Sequence, residues 1–117
     1  MVRLRSIVAI IIFALICVFA EDGYDTKYDD IDVNGILENN KLREQYYKCF
    51  MDQAPCMTAD SKFFKEIVGE AYHTNCKKCN ERQNIMLDTM VKWYKQNQPD
   101  KFKAFEEKTG REFQKKA

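Results

Sequence analysis

Histidine, proline and glycine are scarce in this chain, and each shortage excludes something. There is one histidine, His73. Any Ser/His/Asp or Cys/His arrangement would have to centre on it. It lies at the polar end of a helical stretch beside Thr74 and Asn75, where a cation complements the helix dipole, so its reading is structural. Two prolines and four glycines among 117 residues leave long uninterrupted segments. No Val/Ile/Thr alternation of the strand-forming kind is present, and helix is the default throughout. Asn-x-Ser/Thr is missing, so asparagine glycosylation is not expected. No charge of one sign dominates either. Residues 21–117 carry 17 basic groups, the 19 less Arg3 and Arg5, against 18 acidic ones. That balance gives no basic face for nucleic acid.

Long apolar runs are confined to the N-terminus. Arg3 and Arg5 precede the apolar stretch Ile7 to Phe19, and Val18 and Ala20 occupy small-residue positions ahead of Glu21. This is the pattern of a secretory signal peptide over residues 1–20. The stretch is shorter than the roughly 20 apolar residues a membrane-spanning helix needs. The remainder, residues 21–117, is one small domain, marginal in core size without covalent help. No stable membrane insertion of the mature chain is expected.

Five helices are expected. Residues 24–33 read as an extended lead-in, and Asp32 caps a short helix over Val33 to Glu38. Leu42, Tyr46, Cys49, Phe50 and Gln53 mark an amphipathic helix over 41–53, ended by Pro55. Asp60 or Ser61 caps the next, which carries Phe63, Phe64, Ile67, Val68, Ala71 and Tyr72. Asn80 with Gln83 forms a capping box for a helix through Met86, Met90 and Tyr94 that stops before Pro99. A short fifth helix holds Phe102 and Phe105 and ends at Gly110, after which Phe113 returns to the body.

Cysteine is the informative residue. Setting aside Cys17 in the N-terminal stretch, Cys49, Cys56, Cys76 and Cys79 stand at C-x6-C-x19-C-x2-C. Four cysteines allow three connectivities. Local pairing, Cys49 with Cys56 and Cys76 with Cys79, closes both loops without moving helices, and an oxidising compartment favours disulfides. Each short loop is worth about 2 kcal/mol. A redox reading of Cys76-Lys77-Lys78-Cys79 lacks the usual strand–helix–strand context. A zinc site would need a tighter first spacing than x6. Asp29, Asp30 and Asp32 lack the glycine and distal glutamate of a calcium loop. Neither metal nor cofactor is expected.

The apolar faces are broad and rich in aromatic and methionine side chains: 8 Phe, 6 Tyr and 5 Met in the whole chain. Periodicity by itself favours an ordinary core filled with adaptable side chains over the lining of a cavity for an apolar guest.

The lead-in Tyr24-Asp25-Thr26-Lys27-Tyr28-Asp29-Asp30-Ile31-Asp32-Val33, then Ile36-Leu37, Cys49, Ala54-Pro55-Cys56, Cys76-Lys77-Lys78-Cys79-Asn80, Gln83 and Asn97-Gln98-Pro99 make a specific set. On these the chain resembles the insect chemosensory proteins, the OS-D family, from Tyr24 to about Phe113. The resemblance implies a secreted all-α bundle of five to six helices with two adjacent disulfides around an internal apolar channel. It also implies binding of long-chain fatty compounds and semiochemicals without catalysis, which turns the reading of the faces towards a cavity. Tyr28 matches the family's tyrosine at the channel mouth, and Tyr46 another in the second helix. The lining expected is Tyr28, Val33, Leu37, Tyr46, Phe50, Phe64, Val68, Met90 and Tyr94, with Trp93 close by.

The chain departs from the family pattern in three places. The x19 spacing is one longer than the commonest, with the extra residue in the loop Met57 to Asp60. Phe102 stands where many members have tryptophan. The tail ends soon after Phe113, so a sixth helix is short or absent. The expectation is a monomeric carrier; the competing reading is a secreted structural or developmental protein whose helical faces bind a protein or membrane partner.

Overall fold

The computed structural model describes residues 23–116. The signal peptide expected over residues 1–20, with Cys17 and the cut ahead of Glu21, lies outside them. Five helices and no strand occur among the described residues: α1 Val33–Glu38, α2 Asn40–Phe50, α3 Ala59–His73, α4 Glu81–Asn97 and α5 Pro99–Lys116.

Side chains placed at the helix starts satisfy backbone N–H groups that have no partner within the helix. The Asp32 carboxylate accepts from the Gly35 N–H at 3.0 Å and starts α1. Asn39 closes α1 with its backbone and opens α2 with its side chain, which accepts from Leu42 N–H at 3.0 Å. Asn80 and Gln83 form the expected capping box, Gln83 N–H to Asn80 Oδ1 at 2.8 Å and Asn80 N–H to Gln83 Oε1 at 3.0 Å. The start of α3 lies earlier than expected. Thr58 is its cap, and Ser61 is the reciprocal third residue of a capping box instead of the cap itself. Pro99 begins α5, where its missing N–H costs nothing.

Two helices end in left-handed turns. α2 stops at Phe50, short of the expected Gln53, because Asp52 turns at φ 58° and the Gln53 N–H bonds back to the Lys48 carbonyl at 2.8 Å. α3 stops in the same manner: Asn75 and Cys76 sit at φ 55° and 61°, and Cys76 N–H reaches the Ala71 carbonyl at 2.7 Å. Non-glycine residues adopt this conformation at a cost, and each turn is held covalently. Cys49–Cys56 bridges the end of α2 to the following loop, with Cα atoms 4.8 Å apart, and Cys76–Cys79 joins the end of α3 to the approach of α4 at 5.0 Å.

The last helix differs most from expectation. Instead of ending at Gly110 it continues to Lys116, so the fifth and possible sixth helices are one element. Gly110 has no positive φ. It serves proximity: α3 and α5 form the most extensive helix pair. A Cβ on Gly110 would stand 3.3 Å from the His73 ring, and one on Gly69 would stand 3.1 Å from Thr109 Cβ. The two glycines let the backbones approach, and the crossing is then sealed by His73 Nε2 to Thr109 Oγ1 at 2.9 Å and by Phe113 stacked on the His73 ring. The lead-in, expected to be extended, contains a turn over residues 27–30.

Asp52 ties three helices. From the turn after α2 its carboxylate meets Lys65 of α3 at 2.7 Å and Lys108 of α5 at 2.8 Å. Lys108 and Lys65 together hold its pKa down to about 2.

Two outcomes follow from these contacts. Gly69→Val drives a branched side chain into Thr109, so it should lower stability by about 1–3 kcal/mol, whereas Gly110→Ala faces only a ring edge and should cost much less; urea unfolding measures both. The unfolded Asp52 carboxyl, near pKa 3.9, binds a proton before the folded one does. Its contribution is therefore complete above about pH 4 and lost as pH falls through about 2. Asp52→Asn should be the less stable protein at pH 7, with the gap closing along that descent; a gap independent of pH would show that the carboxylate's charge is not what ties the helices.

Candidate functional site

Four helices present apolar faces at one recurring spacing. α1 offers Val33, Ile36 and Leu37; α2 offers Arg43, Tyr46, Tyr47 and Phe50; α3 offers Phe64, Ile67, Val68 and Ala71. Each set follows i, i+3, i+4 and, in the two longer helices, i+7, which places it along one stripe. α4 continues the pattern from Gln83 through Met86, Leu87 and Met90 to Tyr94, and α5 adds Phe102 and Phe105. The stripes converge without filling the space between them, leaving an apolar cavity of about 120 Å³. Around it Leu37, Tyr47, Val68, Tyr94, Phe102 and Phe105 form a buried cluster. Tyr47 stacks on Tyr94 with ring centres 5.9 Å apart, and Phe102 and Phe105 meet Tyr72 edge-on.

The lead-in closes one side. Tyr24 and Ile31 reach the wall, and the strap is tied to the start of α4 by hydrogen bonds. Gln83 Nε2 donates to the Asp25 carbonyl and to the Asp29 carboxylate, each at 3.0 Å. Asn80 Nδ2 donates to Asp29 at 2.7 Å, and Arg82 donates to the carbonyls of Asp29 and Ile31. Thus Asp29 is a fastening point for the strap, while Asp32 is the cap of α1. Among the described residues no group of histidine, cysteine or acidic side chains is arranged to hold a metal ion.

Of the lining expected from sequence, Val33, Leu37, Tyr46, Phe50, Phe64, Val68, Met90 and Tyr94 come together on the cavity wall. Tyr28 does not. The turn that carries it, with Asp29 N–H bonded to the Thr26 carbonyl, sets its ring against Phe63 and Phe64, behind the wall. Tyr24 stands at the wall in its place, its hydroxyl donating to Glu70 at 2.7 Å. Trp93 is packed on the core beside the wall, its ring under the Arg43 guanidinium at 4.5 Å. Sequence reasoning also missed Arg43, Tyr47, Gln83, Phe102 and Phe105 as wall residues. The signal for the first two was the α2 spacing from Arg43 to Phe50, hidden because a charged residue does not count as part of an apolar stripe. Arg43 is buried and donates through Nη1 to the Leu37 carbonyl at 2.7 Å.

The polar groups at the wall are kept in one protonation state. Burial pushes the hydroxyls of Tyr24, Tyr46 and Tyr94 well above the usual phenol range, aided by Glu70 at Tyr24 and by Asp60 at Tyr46, the latter hydrogen-bonded to the phenol. They are neutral hydrogen-bonding groups throughout the physiological range. His73 is engaged with Thr109 at the α3–α5 crossing and is not on the wall. The arrangement can surround an apolar guest and offer it neutral hydroxyls and one cation, the Gln83 carboxamide being spent on the lead-in and the α4 cap.

This is the geometry of a small all-helical bundle, clamped by two local disulfides around a hydrophobic interior. Residues 24–116 match the model of the insect pheromone-binding family, A10/OS-D, and the chain belongs to that family. It is 35% identical over 105 residues to ejaculatory bulb-specific protein 3 of Drosophila melanogaster, covering 90% of this chain and 82% of that protein. It is likewise 35% identical over 99 residues to allergen Tha p 1 of Thaumetopoea pityocampa, with 80% and 78% covered. No solved structure gives a significant match.

Because Phe102 belongs at once to the wall and to the buried cluster, Phe102→Ala should enlarge the cavity and lower stability by about 3–5 kcal/mol, read from urea unfolding. Near-neutral behaviour would place Phe102 outside the core.

Proposed function

We propose that the protein is a secreted, monomeric carrier of small hydrophobic ligands, long-chain fatty compounds and semiochemicals among them, and that it acts without catalysis. The observation that carries this reading is the apolar cavity walled by all five helices. Membership of a family described as pheromone-binding supports it. The N-terminal run with the pattern of a signal peptide and the two disulfides support secretion of a single domain over residues 21–117. No helix among the described residues is long and apolar enough to cross a membrane. The competing reading, docking of a protein or membrane through the helical faces, finds less support. The large hydrophobics left exposed among the described residues are Met57 and Ile85, which come from a loop and from α4, while the aromatic stripes turn inward.

Size sets the manner of binding. A cavity of about 120 Å³ is near the roughly 150 Å³ that accommodates a benzene-sized guest and below the roughly 300 Å³ at which most small-molecule sites begin. A long alkyl chain enters by displacing side chains. Met86, Met90 and Leu87 supply unbranched or mobile groups for this, and α1, six residues long, is too short to hold its place without tertiary contacts. Burying about 12 methylenes is worth about 10 kcal/mol. Association takes back at least about 4 kcal/mol, which leaves at most about 6 kcal/mol, a Kd of about 40 μM or weaker.

Titration of the folded, lipid-stripped protein with C12 to C18 fatty acids and alcohols, followed by Trp93 fluorescence and calorimetry, tests the reading. Saturable binding that tightens with chain length is expected. Its absence by both methods would overturn the carrier role and favour a macromolecular partner.

A further inference from the structure

We propose that Arg43 anchors a carboxylate inside the cavity, so that the protein selects hydrophobic acids over alcohols and esters of the same chain length. The proposal rests on the carrier reading and names the chemistry of its preferred guest.

Arg43 is 7% exposed and on the cavity wall. Buried arginines are almost always paired with a carboxylate, because an unpaired charge in an apolar interior is strongly disfavoured. Arg43 takes part in none of the ion pairs among the described residues, all of which join lysines to aspartates or glutamates. Its neighbour Glu44 is engaged by Lys101. What Arg43 has is partial: one Nη1 hydrogen bond to the Leu37 carbonyl at 2.7 Å, and the face of Trp93 at 4.5 Å. Its buried Nε has no partner. With Nη1 occupied, the Nε–Nη2 edge of the guanidinium makes no hydrogen bond among the described residues, and such an edge matches the two oxygens of a planar carboxylate.

The polar donors of the wall otherwise include the neutral hydroxyls of Tyr47 and Tyr94, and Tyr47 already donates to the Lys101 carbonyl. A monoanionic carboxylate would neutralise Arg43, the one buried cation among the described residues. A dianionic phosphate would leave excess negative charge in the apolar cavity, and an alcohol or ester would leave the cation uncompensated. The same geometry accounts for an arginine within an otherwise apolar stripe of α2.

The experiment compares dodecanoic acid, dodecanol and methyl dodecanoate by calorimetry on the lipid-stripped mature protein, then on Arg43→Gln and Arg43→Lys after their melting curves confirm folding. Wild-type protein should bind the acid at least about tenfold more tightly than the alcohol or ester, the margin of a charge-assisted over a neutral hydrogen bond. Arg43→Gln should bring the acid down to the alcohol's affinity while moving the alcohol less than about threefold, and Arg43→Lys, which keeps the charge without the fork, should fall between. Equal binding of acid and alcohol by wild type would overturn the proposal while leaving the carrier role standing, and this arm needs no variant to fold. An acid preference that survives in Arg43→Gln, or a loss of stability without a change in preference, would reduce Arg43 to a clasp between α1 and α2. Failure of all three compounds to bind would remove the carrier reading and this proposal together.

Discussion

The structure depends on the helix ends being fixed independently of the helix middles. A protein interior ordinarily collapses to close packing, and five short amphipathic helices left to themselves would slide together until their stripes met. Here the termini are set by other forces. Side-chain caps at Asp32, Asn39, Thr58 and Asn80 fix where four helices begin. Two left-handed turns, each spanned or followed by a short disulfide, fix where α2 and α3 end. Asp52 then joins the α2 turn to α3 and α5 through two lysines. With the ends spaced by polar and covalent contacts, the apolar stripes enclose a volume they do not fill.

The same division explains the chemistry of the interior. Aromatic hydroxyls reach the wall from three directions, yet burial and acidic neighbours keep their protons in place. The single histidine is used for joining α3 to α5. The interior is thus apolar with a few fixed hydrogen-bonding groups and one cation.

Much of this was legible from local rules. Caps announce themselves when a short polar residue stands three positions before its reciprocal partner, as Asn80 does before Gln83; Cys49, Cys56, Cys76 and Cys79 pair locally because their spacings close small loops. The local rules failed where a residue's role was set by something distant in sequence. Gly110 looks like a stop signal until the partner helix is in place, and only then is it a point of close approach to His73. Tyr28 and Tyr24 differ by one turn of the lead-in, and the bonds from Gln83, Asn80 and Arg82 that choose between them cross about fifty residues. Arg43 was passed over because hydropathy scores a charge as outward-facing, although its position on the α2 stripe is inward.

The continuity of α5 has a mechanical consequence. Phe102 and Phe105 stand at the cavity wall, whereas Thr109, Gly110 and Phe113 belong to the crossing with α3. From Phe102 to Phe113 a helix rises about 16 Å, with no break in the rod between them. One continuous helix therefore joins the cavity wall to the seam at which Thr109 meets His73 and Phe113 stacks on its ring, so the inside of the bundle and its outer seam share a single beam.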